Sequence, residues 1–151
     1  MTKYLVDTNL LLRSAQPLHP MHQAAVATLR RLKRAKSILC IAPQNLIEFW
    51  AVATRPVENN GLGRSIVEAE KELARLKKFF TLLPDSPAIF PEWEKLVVTC
   101  EVKGKPTHDA RIVAVMKAND VDHLVTFNGG DFKRFSINII EPSEDKPKPT
   151  K

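Results

Sequence analysis

No stretch of this 151-residue chain approaches the roughly 20 consecutive apolar residues needed to cross a bilayer. Its start, MTKYLVDTN, carries neither the basic flank nor the apolar run of a secretory leader. Both absences lead us to expect a cytoplasmic chain with no membrane partner. Cysteine is scarce as well. Cys40 and Cys100 lie in the apolar runs ILCIA and LVVTC, with no CxxC and no Cys/His cluster, which argues against zinc or redox chemistry and reads both as buried thiols. A phosphate-cradling glycine loop is also missing, since the GLG at 61–63 is ordinary turn chemistry.

What is present is enough for one core. The chain is 44% hydrophobic, and its length is that of one domain. We expect that domain over residues 1–142, with a disordered tail at 143–151, because SEDKPKPTK offers nothing apolar to bury. The formal charge of +6 is of the sign that attracts a polyanion, because cations that neutralise phosphates release counterions. Charge alone does not identify the partner, since most charged side chains simply solvate a surface.

Periodicity gives the elements. Strands are expected at 3–7, 38–42, 81–83, 123–127 and 136–140, from short apolar runs bounded by turn residues. Met21, Ala25, Leu29 and Leu32 share one helical face within 19–36. Pro43 is placed to open a helix over 44–54. Residues 55–63, rich in Asn, Gly and Pro, read as a flexible loop. Ser65 and Glu68 form a capping box for a helix reaching Phe80. Further helices are expected at 91–101 and, with Thr107 as cap, at 107–117. Strands alternating with helices predict a three-layer α/β/α sandwich around a mostly parallel sheet of four to five strands. In such sheets ligands bind outside the carboxyl ends of the strands, so acids just after strands take priority.

Four acids satisfy that criterion together. Asp7 follows the first strand and could cap the short helix after it. Glu48 lies in the apolar run LIEFWAVA, where a carboxylate needs a cation or a donor network. Asp109 sits in the first turn of its helix, and Asp131 in the turn NGGDF beyond the strand LVTF. Each has an ordinary explanation when taken singly. Gathered in one crevice, four like charges repel and require cations to stay ionised. Hard divalent ions such as Mg²⁺ or Mn²⁺ suit an all-carboxylate set. Asp120 and Asp122 precede a strand and belong at the far edge.

The segments VDTNLLLR at 6–13, NLIEFWAVATRP at 45–56, HDARIVAVM at 108–116 and LVTFNGGDFKRF at 124–135 resemble the PIN-domain family, in particular its VapC-type toxins. The resemblance implies cleavage of single-stranded RNA by one or two divalent ions, leaving a 5′-phosphate. It implies Asp7 and Asp109 as principal metal ligands, with Glu48 and Asp131 completing the set directly or through water. Asn9 and Thr126 would orient the acids and the substrate phosphate. Arg13, Lys105, Arg111, Lys133 and Arg134 are candidates for phosphate contacts. The two helices flanking the loop at 55–63 carry enough apolar surface to predict a homodimer or a groove for a cognate antitoxin.

Rival readings fare less well. A haloacid-dehalogenase-type phosphatase wants a second aspartate two residues after the first, where this chain has Asn9. A response-regulator receiver wants an acid pair at the first strand, which is absent. A catalytically silent PIN-like domain, serving as an RNA-binding or assembly module, is the alternative that the fold would share.

Overall fold

The computed structural model describes residues 1–143, so all but the first residue of the expected tail lies outside the described residues. Strand β1 (Lys3–Val6) leads through helices α1 (Thr8–Ser14) and α2 (His22–Arg34) to β2 (Ile38–Ile41). Helices α3 (Pro43–Thr54) and α4 (Ile66–Phe79) then lead to β3 (Thr81–Leu82). Helices α5 (Ile89–Thr99) and α6 (Pro106–Ala118) precede β4 (His123–Val125), and a 3-10 segment, Gly129–Phe135, precedes β5 (Asn138–Ile140). All pairings are parallel, in the order β3-β2-β1-β4-β5. The three-layer parallel architecture is therefore as expected.

Alternation along the strands sorts the core into two halves. Leu5, Cys40 and Leu124 pack with α5 and α6 on one face. Val6, Leu39, Ile41 and Val125 pack with α1 to α4 on the other. Helix α6 is buried nearly all round, from Ala110 through Ile112 to Met116. Such a helix is a core element rather than an amphipathic cover. Among the described residues, no helix is long and apolar enough to cross a membrane.

The expected strands and helices all form, with shorter ends for most. The α2 helix begins at His22 rather than His19, because turns occupy the residues around Pro17 and Pro20. Thr107 is not a cap: α6 begins at Pro106, and the Thr107 hydroxyl donates to the Gly104 carbonyl at 2.7 Å. Helix α5 begins two residues before Pro91, which needs no amide bond in a first turn.

The segment 55–63 is a correction. Its backbone is tied to itself and to the end of α3, with Gly61 donating to the Pro56 carbonyl at 2.9 Å and Gly63 to Arg55 at 2.9 Å. Leu62 donates to Val52 at 3.0 Å, and Arg64 just beyond donates to Ala53 at 2.8 Å. Turn-forming composition here encodes a fixed reversal rather than freedom.

Candidate active site

The strand order dictates where a crevice opens. From β1 the chain moves outward through β2 to β3, and later returns to β1's other side as β4. The connections therefore diverge between β1 and β4, and the carboxyl ends of these two strands form a topological switch point. Asp7 follows β1 and Thr126 follows β4, while the Asp7 amide donates to the Val125 carbonyl at 2.9 Å. The two residues are thus placed by sheet pairing itself.

Asp7 does sit at the N-cap of α1, yet its Oδ1 accepts from the amide of Thr8 at 2.8 Å, one residue nearer than a usual capping bond. Its Oδ2 accepts from the Thr126 hydroxyl at 2.7 Å. Asn9 lies alongside, its Nδ2 3.3 Å from Thr126 Oγ1 and 3.5 Å from Asp7 Oδ2. The Asn9 Oδ1 accepts from the Phe127 amide at 3.4 Å. The fully buried Thr126 hydroxyl also accepts from the Asn128 amide at 3.0 Å. With its lone pairs facing two N–H groups, its one proton is directed to Asp7.

Glu48 is held by a relay on which sequence reasoning was silent. Thr8 Oγ1 donates to Glu48 Oε1 at 2.7 Å, and the buried Asn45 donates from Nδ2 to Thr8 Oγ1 at 3.2 Å. Asn45 Oδ1 in turn accepts from the Ala42 amide at 2.8 Å. Gln44 donates to Glu48 Oε2 at 3.2 Å and to the His108 carbonyl at 2.9 Å. The donor network that a carboxylate in LIEFWAVA requires is therefore made of Thr8 and Gln44. The signal available in sequence was Gln44 one helical turn before Glu48.

Electrostatics shows that the four acids meet. Burial raises the Asp7 carboxyl above its ordinary range, against the hydrogen bonds from Thr126 and Thr8, while Glu48 and Asp131 raise it further. Asp109, half-buried in the first turn of α6, is pushed up to about 6, by burial first and then by Asp7, Asp131 and Glu48. Asp131 lies in the 3-10 segment after β4 and is exposed. Asp120 and Asp122 fall at the opposite edge, where Asp122 contacts His123 at 2.7 Å.

The cluster is open rather than closed. Among the described residues, no three His, Cys, Asp or Glu side chains surround one point as a finished metal cage. The donor set is nonetheless all hard oxygen and its members repel one another. It fits Mg²⁺ or Mn²⁺, because Mg²⁺ takes one or two carboxylates and keeps several waters.

The cationic candidates divide. Arg13 is occupied by Gln16 at 2.7 Å. Arg111 spans Gln44 and Asp85, each at 3.3 Å. Lys105, Lys133 and Arg134 are exposed, Lys105 at the start of α6 and the other two immediately beyond Asp131.

Comparison with known proteins bears on the fold. Among curated proteins, none matches the chain. Among solved structures, VapBC2 from Rickettsia felis bound to a promoter DNA fragment superposes with a TM-score of 0.73 at 16% identity, covering 94% of this chain and 100% of that one. VapC20 from Mycobacterium tuberculosis, a toxin that cleaves the sarcin-ricin loop, gives 0.63 at 20% identity, covering 95% and 99%. DNA-bound VapBC from Salmonella typhimurium gives 0.66 at 17%, covering 93% and 98%. At these identities the likeness is one of fold. The family model for the PIN domain matches residues 4–138, and the chain belongs to the PIN domain family.

Proposed function

We propose that this protein is a divalent-metal-dependent endoribonuclease acting on single-stranded RNA, and the toxin of a toxin-antitoxin pair. One observation carries the reading: Asp7, Glu48, Asp109 and Asp131, from four separate segments, converge beside the switch point, where burial first and the neighbouring carboxylates second raise the carboxyls of Asp7 and Asp109. A fold that merely bound RNA would have no use for such repulsion beside a polyanion. The sarcin-ricin-loop-cleaving toxin among the structural neighbours adds support.

Asp7 and Asp109 would hold the ion, with Glu48 and Asp131 completing the set directly or through water. When bound, the ion supplies a low-pKa water and neutralises charge on the phosphate. The residues' own work is positional. Thr126 and Asn9 orient Asp7, while Thr8 and Gln44 fix both oxygens of Glu48. Exposed Lys105, Lys133 and Arg134 would meet the flanking phosphates, which sets register rather than sequence. A homodimer and an antitoxin are the protein partners in this reading. Support comes from Val57, Ile66 and Val67, which are 69%, 63% and 62% exposed around the connection from α3 to α4.

The test is cleavage of single-stranded RNA by purified protein with Mn²⁺, with an EDTA control, alongside calorimetric Mn²⁺ titration. Cleavage lost in EDTA, together with loss of both cleavage and Mn²⁺ affinity in Asp7→Ala, is expected. RNA binding without cleavage would leave the silent module in its place.

A further inference from the structure

An apolar hollow of about 360 Å³ opens between α5 and the start of α6, lined by Phe90, Trp93, Thr107, His108 and Arg111. Its size lies at the lower end for sites that take small organic groups. Phe90 is 64% exposed although its neighbour Ile89 is buried at 3%. The rings of Phe90 and Trp93 lie 5.5 Å apart and are inclined by 31°, a tilted contact in which Trp93 backs the exposed Phe90. The Trp93 indole N–H is already committed to the Thr107 carbonyl at 2.8 Å. That bond fixes the ring, which packs in part against the core and lies beside Phe90, so the exposed Phe90 ring is the aromatic face open to a ligand.

Three residues of its lining come from the helix that carries Asp109. His108 and Arg111 stand on either side of Asp109 in the first turns of α6, and the Gln44 that holds Glu48 also holds the His108 carbonyl. Arg111 contacts Gln44 and Asp85 through two N–H groups of its five. A wholly apolar partner seated here would bury the polar edges of His108 and Arg111 without compensation. A flat, aromatic ligand with hydrogen-bonding edges satisfies both halves of the lining.

We infer that the hollow takes an unpaired nucleobase of the RNA, stacked on Phe90 where Trp93 backs it, in the strand whose phosphate the acids hold. The inference rests on the ribonuclease reading. Single-stranded RNA is held through bases splayed out onto aromatic rings and arginine planes, with hydrogen bonds to their edges. Here stacking supplies affinity, and His108 and Arg111 supply whatever base preference exists.

The probe is a short single-stranded RNA containing all four bases, with versions carrying an abasic nucleotide at each position in turn. Phe90→Ala should raise KM roughly 5- to 150-fold, the range expected for loss of one stacked base, with a much smaller change in kcat. Phe90→Tyr should restore it. One abasic position should cost the unaltered protein a similar factor while costing Phe90→Ala nothing further. Val98→Ala, at a 71% exposed residue of the same helix outside the hollow, should change neither constant. If RNA is cleaved but Phe90→Ala leaves KM unchanged, or no abasic position cancels its effect, the base site is refuted and the nuclease reading stands. If nothing is cleaved but RNA binds with the same Phe90 and abasic dependence by fluorescence anisotropy, the base site stands and the nuclease reading falls. A change of oligomeric state in Phe90→Ala, seen by light scattering, would assign the hollow to a protein interface and overturn the inference.

Discussion

Asp109→Asn should make the metal-free protein more stable at neutral pH. The wild-type carboxyl titrates at about 6 in the folded protein, against an ordinary value of 3.8. A raised folded value means the fold binds the proton more tightly than the unfolded chain does. The stability that this supplies is fully present below the unfolded value and is lost as pH rises through the folded one. At about pH 7.5 the wild type therefore carries an ionised, repelled carboxylate that Asn cannot carry. A shift of this size corresponds to about 3 kcal/mol, discounted to about 1–2 kcal/mol because the group is partly open to water. For a domain of this length the variant should melt about 3–6 °C higher. Scanning calorimetry at about pH 7.5 and about pH 4 in EDTA should show the gap at the higher pH and near coincidence at the lower. Saturating Mn²⁺ should raise the wild type more than the variant and close or invert the gap, since an ion stabilises only the state that binds it. A variant that melts no higher than wild type at neutral pH in EDTA would refute the claim of mutual repulsion.

Thr8→Val removes the donor to Glu48 and the acceptor of the buried Asn45 amide. Urea unfolding should register a loss of about 1–3 kcal/mol as a lowered midpoint with unchanged slope; an unmoved midpoint contradicts the relay. Thr126→Val strips Asp7 of its hydroxyl donor, and Mn²⁺ affinity by calorimetry should fall about 10- to 100-fold while Thr126→Ser retains it. Equal affinities would detach Thr126 from the site. In Gly61→Ala the new Cβ runs into the Arg55 carbonyl, so the variant should lose at least about 2 kcal/mol in the same urea assay. A neutral result would mean that the reversal at 55–63 yields.

Much of this was legible in the chain, for identifiable reasons. The five strands are compact apolar runs ending at turn residues, and α/β alternation leaves few topologies, so the positions of Asp7 and Thr126 at strand ends follow from KYLVD and LVTF. Asp109 lies in the first turn that its sequence position predicts, although Thr107 does not cap that helix. A threonine before a helix resembles a cap in sequence, but here the hydroxyl turns back to Gly104. The relay through Thr8 and Asn45 could not be read, because these residues are 37 positions apart and meet only once α1 packs against α3. The rigidity of 55–63 escaped for a similar reason: Gly and Asn signal a turn, while the carbonyls of α3 that immobilise it come from the fold. The hollow at Phe90 was likewise invisible, since an aromatic in a helix reads as core until its exposure is known.

The central position of β1 has a consequence for synthesis. Val6 pairs with Val125, so the strand that carries Asp7 lacks one neighbour until β4 has been made. Asp7 and Glu48 are translated early, Asp109 and Asp131 late, and no shorter chain can bring all four together. A ribosome making this protein therefore carries an incomplete acid cluster until Asp131 has been added. Under the proposed activity, the messenger being read is not exposed to its own product until the chain has been made as far as Asp131.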